Sequence, residues 1–256
     1  MMFQGKTQSP IDFRFDHCTL DKSLNERSWR FNYYKEDFTR LTNTGHTWEV
    51  RAKSGTARST VTASHLPSVY EFVQVHAHWG TDYSNGSEHR LMGKGYAGEI
   101  HFVHYNTSYG SIEHAVTHPD GLAVVGVFLQ EGEPKKPNPQ LQFVCENLHK
   151  VTEKKSHTDF DVEFDAAKLL PSKKSFFTYT GSLTTPPFTE CVLWSVLKEP
   201  IVVSPGQFKS MREFLPRNDR DCQPLNGREI RCSFPFTSVD PAAGPETSGS
   251  KVCVIL

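Results

Sequence analysis

An apolar run with polar side chains at alternate positions, Phe72-Val73-Gln74-Val75-His76-Ala77-His78-Trp79-Gly80, has the pattern of a β-strand. Successive side chains of a strand point to opposite faces, so His76 and His78 share one face and Ala77 points away from them. Two neutral imidazoles on one face supply half of the ligands of a metal site, and imidazole suits Zn²⁺ well. The stretch therefore predicts a strand that carries part of a metal centre.

A second strand is predicted at Glu99-Ile100-His101-Phe102-Val103-His104-Tyr105, and the Gly-, Ser- and Asn-rich segment 81–98 joins it to the first as an antiparallel neighbour. In that arrangement His101 completes a set of three histidines. Three protein ligands with a fourth position left for water are typical of catalytic zinc. The alternative is that these are ordinary hydrogen-bonded histidines in a chain that has twelve. His104 lies on the opposite face from His101, so we interpret it as a packing histidine.

Seven motifs occur in one colinear order: QSPID (8–12), QVHAHWG (74–80), SEHR (87–90), EIHFVHYN (99–106), GLAVVGVFL (121–129), GSLTTPP (181–187) and ECVLWSVLKEPI (190–201). Together they give the chain a resemblance, over roughly residues 4 to 236, to the α-class carbonic anhydrases, most closely to the cytosolic members. The resemblance implies a mainly β, single-domain fold, built on a large, twisted, mostly antiparallel central sheet with short peripheral helices. It also implies a catalytic domain at 1–236, with a shorter segment before QSPID than is usual in the family.

The activity that the resemblance implies is the zinc-dependent, reversible hydration of carbon dioxide to bicarbonate and a proton. Zn²⁺ is the expected cofactor, and His76, His78 and His101 are the expected ligands. Two alternatives stay open. The first is a non-catalytic binding protein with the same fold, although such relatives usually lack one of the three histidines. The second is a zinc hydrolase of esters, an activity that the same centre could also have as a weak side reaction.

The resemblance makes His46 the proton shuttle. Release of a proton of pKa near 7 directly to water is limited to about 10³ s⁻¹ by diffusional recombination. An exposed imidazole can accept the proton through water and pass it to buffer. Glu49 replaces an amide or neutral group that is common at its position in the family, and we expect its carboxylate to raise the pKa of the shuttle. Without the resemblance, His46 would be interpreted as a solvated turn histidine.

The remaining site residues also come from the resemblance. Thr184 is expected to orient the attacking nucleophile and to donate its own proton to Glu88, and the region of Thr185 is expected to hold bicarbonate. The expected apolar wall for carbon dioxide is Val103, Val124, Leu183, Val192 and Trp194. Each wall residue, taken singly, is better explained as core. Gln74 and Glu99 share faces with the ligands and are expected to orient His76 and His101, as groups hydrogen-bonded to metal ligands do.

Three further segments are predicted to be packing elements. The continuous apolar run 121–129 predicts a fully covered interior strand. Asn138 and Pro139 predict the start of a helix, since Asn caps helices and Pro fits their first turn. Ser204 and Gln207 form a capping-box pattern before a second amphipathic helix. The paired prolines at 186–187 exclude a regular strand beyond Thr185.

Composition limits the partners and the cellular location that the sequence predicts. A net charge of −1 without a basic block gives no reason to propose nucleic acid as a partner. The six cysteines are scattered without CxxC pairs and are interpreted as free thiols of a reducing compartment. By resemblance, secreted relatives often have a disulfide between the positions of Phe3 and Phe188, which cannot form here. We therefore expect a cytoplasmic monomer whose small-molecule partner is carbon dioxide or bicarbonate.

Residues 237–256 differ in composition from the preceding domain. Pro, Gly, Ser and Ala dominate 237–251, which predicts a flexible tail. The last four residues, Cys253-Val-Ile-Leu256, match the pattern for geranylgeranylation of Cys253. The sequence thus predicts attachment to the cytosolic face of a membrane, although a four-residue pattern also arises by chance and no polybasic run supports it.

Overall fold

The computed structural model describes residues 5–52, 58–159 and 164–235, which contain 14 strands and three α-helices. The strands are β1 (Asp12–Phe13), β2 (Cys18–Leu20), β3 (Arg30–Asn32), β4 (Phe38–Asn43), β5 (Trp48–Ala52), β6 (Thr60–Thr62), β7 (Tyr70–Trp79), β8 (Arg90–Leu91), β9 (Gly98–Asn106), β10 (Leu122–Glu131), β11 (His157–Asp159), β12 (Phe176–Gly181), β13 (Val192–Val203) and β14 (Ile230–Cys232). The helices are α1 (Ile112–Ala115), α2 (Pro139–Asn147) and α3 (Pro205–Phe214). Phe3, the predicted tail and Cys253 lie outside the described residues.

Twelve of these strands form one sheet, whose main path runs β11-β4-β5-β7-β9-β10-β13-β12-β14-β2. Strand β6 pairs with β3 and β7 beside this path. The pairs β10–β13 and β14–β2 are parallel, and the other pairs of the sheet are antiparallel. Strands β1 and β8 form a separate parallel pair. The predicted fold class, a mainly β domain on a large, mostly antiparallel sheet with short helices, is confirmed.

The two strands predicted to carry histidines are neighbours in the middle of this sheet. Strands β7 and β9 are antiparallel, and His76 lies directly opposite His101. The segment between the strands is not loop throughout, because it contains the short strand β8. Strand β10 lies between β9 and β13 and is buried through Leu129, so the predicted interior strand is also confirmed.

Side chains of β9 and β10 alternate between two hydrophobic clusters on opposite faces of the sheet. Phe102 and Val125 belong to the larger cluster, which also receives buried side chains of α2 and α3. Val103 and Val124 belong to the smaller cluster. Because His101 is two residues from Val103, it lies on the face of the smaller cluster. Helices α2 and α3 therefore cover one face, and the histidines occupy the other, where Ile112 of α1 also packs.

Both predicted helices begin where their caps indicate. The Asn138 side chain accepts hydrogen bonds from the backbone N–H groups of Gln140 and Leu141 at the start of α2. Ser204 and Gln207 form the predicted capping box at the start of α3. Helix α1 was not predicted, because its four residues are too few to show a helical period.

Two findings concern the rest of the described chain. The cysteines at 18, 145, 191, 222 and 232 are free thiols, as predicted. No helix in the described ranges combines the length and the apolar character that crossing a bilayer requires.

Candidate metal centre

Three histidine side chains converge in the middle of the large sheet. Strand β7 supplies His76 and His78, and strand β9 supplies His101. Their exposed fractions are only 9%, 1% and 1%. Nε2 of His76 lies 3.0 Å from Nε2 of His78. One nitrogen of each histidine lies within 4.8 Å of the corresponding nitrogens of the other two. The sequence prediction that these three residues converge is confirmed.

The second nitrogen of each histidine is fixed by an oxygen acceptor. Nδ1 of His76 lies 2.7 Å from Oε1 of Gln74, and Nε2 of His101 lies 2.9 Å from Oε1 of Glu99. Nδ1 of His78 lies 3.0 Å from the backbone carbonyl of Asn218. A carbonyl or carboxylate oxygen requires a proton on the nitrogen that faces it. The other nitrogen of each neutral ring therefore presents a lone pair to the centre of the cluster.

Burial keeps these three rings in the neutral form. It lowers the pKa of His76 well below its ordinary value, and the neighbouring imidazoles of His78 and His101 lower it further. Burial and His101 lower the pKa of His78 to about 3. Burial also lowers the pKa of His101, against the opposing effect of Glu99. Since neutral imidazole is the form that coordinates metals, the cluster is ready to bind without losing protons at neutral pH.

A metal ion satisfies this geometry, whereas a hydrogen bond does not. Two lone pairs that face each other at 3.0 Å have no proton to share and repel each other in a buried site. Tetrahedral zinc with zinc–nitrogen bonds of about 2.0 Å separates its ligand nitrogens by roughly 3.3 Å. The three histidines therefore fit Zn²⁺ and leave its fourth position for another ligand.

A second group of potential ligands consists of His89, Glu99 and His101. The side chains of this group already form hydrogen bonds with one another. Oε1 of Glu99 lies 2.7 Å from Nδ1 of His89 and 2.9 Å from Nε2 of His101. Nε2 of His89 lies 2.6 Å from the hydroxyl of Tyr179. Although burial acts to raise it, these two imidazoles hold the pKa of Glu99 well below its ordinary value. This group is a buried hydrogen-bond chain behind the metal centre.

Glu88 lies beside the centre with its side chain fully buried. Its Oε1 accepts a hydrogen bond from the backbone N–H of Arg220 and lies 3.2 Å from Nδ1 of His78. Burial raises the pKa of Glu88 well above its ordinary value, and the nearby hydroxyl of Thr184 acts to lower it. No hydrogen bond of ordinary geometry reaches Oε2 from any described residue. Thr184 and Glu88 are thus brought together, and one carboxylate oxygen is left unsatisfied.

A cavity of about 200 Å³ opens onto the centre. Its polar lining consists of Arg51, Gln74, His76, His101, Thr184 and Thr185. Its apolar lining consists of Val73, Val103, Ile112, Val116, Leu122, Val124, Leu183 and Trp194. A small cavity with a few convergent polar groups in apolar surroundings is the usual form of a small-molecule site.

Some predicted site residues lie away from this lining. His46 is exposed in the turn before β5, and Val192 is fully buried in the smaller hydrophobic cluster, opposite Leu122 on β10. Glu49 is buried beside Arg51, whose Nε lies 3.1 Å from its Oε1, so the carboxylate charge is already paired.

Several lining residues were not predicted. Ile112 and Val116 are four residues apart, a spacing that places both on one side of a helix and could have indicated a shared role. Arg51 and Glu49 are two residues apart on β5, so their side chains project to the same face of the sheet. Nothing in the sequence marks Val73 or Leu122 apart from other apolar strand residues.

Comparison with models of protein families identifies the family of this chain. The sequence model of the eukaryotic-type carbonic anhydrases matches residues 1–234, which is nearly all of the chain.

Proposed function

The chain belongs to the eukaryotic-type carbonic anhydrase family, and from this premise we propose that it catalyses the zinc-dependent, reversible hydration of carbon dioxide to bicarbonate and a proton. The observation that carries the proposal is the buried cluster of three neutral histidines, each fixed by a hydrogen bond on its outer nitrogen. A zinc ion held there supplies a Lewis acid that makes water a nucleophile at neutral pH.

His76, His78 and His101 hold the metal in this proposal. Gln74, Glu99 and the Asn218 carbonyl fix the ring orientations, which sets the direction of each lone pair before the metal arrives. Because the three rings are already oriented, little side-chain freedom is lost when the metal binds. The entropic cost of metal binding is therefore lower.

Thr184 orients the nucleophile. Its hydroxyl donates to the buried Glu88 carboxylate, so its oxygen is left as an acceptor that holds the nucleophile in one orientation. A bound divalent cation favours the ionised form of Glu88, which is the form that accepts this proton. The support is the position of Thr184 both in the cavity lining and close to Glu88.

The apolar side chains hold carbon dioxide and exclude competing water. Val103, Val124, Leu183 and Trp194 line the cavity next to the histidines, and Thr185 is placed to hold bicarbonate. Val192 contributes from beneath the lining, as part of the buried cluster that supports it. His46, exposed in its turn, accepts the released proton and passes it to buffer.

We also propose the cytoplasm as the location of this domain, which the five free thiols support because disulfides are rare there. Lipid attachment at Cys253 stays a prediction, since that residue lies outside the described part of the chain.

The proposal is tested on the purified protein by measuring zinc content and carbon dioxide hydration together, before chelation, after chelation and after zinc is restored. We expect hydration to be lost with the metal and to return with it. Stoichiometric zinc without hydration would instead identify a non-catalytic binding protein. Ester hydrolysis without carbon dioxide hydration would identify a zinc hydrolase.

A further inference from the structure

Asn218, in the segment after α3, contacts both the ligand strand β7 and the turn that carries His46. Its backbone carbonyl accepts from Nδ1 of His78 at 3.0 Å. Its Oδ1 accepts from the backbone N–H of Trp79 at 2.8 Å, and its own N–H donates to the Trp79 carbonyl at 3.1 Å. Its Nδ2 donates to the carbonyls of His46 and Ala77, at 3.0 Å each. One residue thus joins a metal ligand to the proposed proton shuttle.

The turn that carries His46 is closed by its own side chains. Thr44 Oγ1 accepts from the backbone N–H groups of His46 and Thr47, and Asn43 Oδ1 accepts from the N–H of Gly45. These bonds fix the shape of the turn but not its distance from β7. That distance is set by contacts with other segments, among them the bond from Asn218 to the His46 carbonyl.

A second bond ties the same turn to β7. Oγ1 of Thr47 donates to the carbonyl of Ala77 at 2.6 Å, and this carbonyl also accepts from Nδ2 of Asn218. Asn218 and Thr47 therefore hold neighbouring points of the turn against one peptide of the ligand strand. The ring of His46 is exposed, so its position depends on where this backbone is held rather than on packing around the ring.

We propose that the side-chain amide of Asn218 is a positioning group for proton export, which fixes the His46 backbone relative to metal ligand His78. The inference rests on the proposed function. The proton leaves the metal centre, passes through water to the His46 imidazole and ends on a buffer base. A misplacement of about 1 Å can slow a positioned step a hundredfold.

Substitution of the side chain separates this role from metal binding. Asn218→Ala removes the amide but keeps the backbone carbonyl that holds His78. We expect the turnover number kcat in a weak, non-imidazole buffer to fall about tenfold while kcat/KM for carbon dioxide stays within about twofold, since proton export follows the carbon dioxide step. Added imidazole should restore part of the turnover, as it should for His46→Ala.

The decisive experiment compares zinc-loaded wild type, His46→Ala, Asn218→Ala and the double variant. If Asn218 acts through His46, the double variant turns over no more slowly than His46→Ala. The matched control is Asn147→Ala, which removes an amide bonded to the Phe143 carbonyl at 2.8 Å in α2, and it should keep wild-type kinetics.

Two results would overturn the inference. One is a double variant whose kcat falls by the product of the factors measured for the two single variants. The other is an equal fall in kcat and kcat/KM, which would show a purely structural role at the metal site.

If Asn218→Ala does not fold, Asn218→Asp replaces it, because aspartate keeps the acceptor for Trp79 but has no donor for His46. A wild type without hydration activity would overturn the proposed function as well, whereas an active wild type with multiplying losses overturns the inference alone.

Discussion

At the scale of single residues, a glycine makes room for the metal centre. Gly126 on β10 lies opposite His101. A Cβ atom at this position would lie 2.9 Å from Oε1 of Glu99 and 3.2 Å from a methyl group of Val196. The missing side chain leaves space for the carboxylate that orients His101. The sequence shows only a glycine within an apolar run, so its role could not be predicted before the pairing of β9 and β10 was known.

Gly126→Ala should therefore weaken zinc binding without removing a ligand. Displacing Glu99 disturbs the ring orientation of His101, and loss of such a partner typically lowers metal affinity about tenfold or more. Competition with a zinc chelator measures the affinity. The control is Val125→Ala on the same strand, whose side chain belongs to the opposite face and whose loss should lower stability without changing zinc affinity. Equal zinc affinities for Gly126→Ala and wild type would contradict the assignment.

Thr184→Val should depress kcat/KM for carbon dioxide by about a hundredfold, because the role proposed for its hydroxyl is to orient the nucleophile rather than to move protons. Stopped-flow hydration assays of the zinc-loaded protein measure the change. Thr178→Val, at a buried position on β12 that does not line the cavity, is the control. A loss confined to turnover, with kcat/KM intact, would argue against this role.

His104 gives the molecule a pH-dependent stability. It is fully buried, its Nε2 lies 2.7 Å from the hydroxyl of Tyr33, and burial lowers its pKa to about 3. An unfolded histidine has a pKa of about 6.5, so between these values only the unfolded state binds this proton. The contribution of His104 to stability is therefore complete above pH ~6.5 and is lost as the pH falls toward ~3, by about 1.4 kcal/mol per pH unit.

His104→Gln should flatten the acid part of the stability curve. Urea unfolding of wild type and variant at a series of pH values between about 4.5 and 6.5 gives the two slopes. The slope of the variant should be smaller by up to about 1.4 kcal/mol per pH unit. Identical slopes would show that His104 is protonated equally in both states.

At the scale of elements, Gln207 joins the first turns of two helices. Its side-chain Oε1 accepts from the backbone N–H groups of Ser204 and Asn138, and its Nε2 donates to the Asn138 carbonyl at 2.7 Å. Both helices were predicted because caps are local signals. The bond between the helices was not predicted, because its partners are 69 residues apart in the chain.

Gln207→Ala should destabilise the protein more than Ser204→Ala does. Loss of a serine cap costs about 1 kcal/mol. Loss of Gln207 leaves backbone groups without partners at both helix starts, buried at Ser204 and half-buried at Asn138, which costs about 2 to 4 kcal/mol in total. Urea unfolding measures both variants. If Gln207→Ala costs no more than Ser204→Ala, the link between the helices contributes nothing to stability.

At the scale of the whole molecule, the site is assembled from distant parts of the chain, and this limits what the sequence can predict. His76, His78 and His101 were predictable because strand alternation and one connecting segment bring them together. Asn218 and Arg51 were not, since their contacts depend on the path of the chain after α3 and on the pairing of β5 with β7. Glu88 and Thr184 were predicted through the family resemblance alone.

The central claim is that His76, His78 and His101 hold a zinc ion on which hydration depends. The most direct test measures zinc content and carbon dioxide hydration in His78→Ala, in wild type and in the control His157→Ala, which removes an exposed histidine of β11. Two imidazoles cannot hold the ion tightly in tetrahedral geometry. We predict stoichiometric zinc and full activity in wild type and control, and the loss of both in folded His78→Ala. Stoichiometric zinc with full hydration activity in His78→Ala would contradict the account.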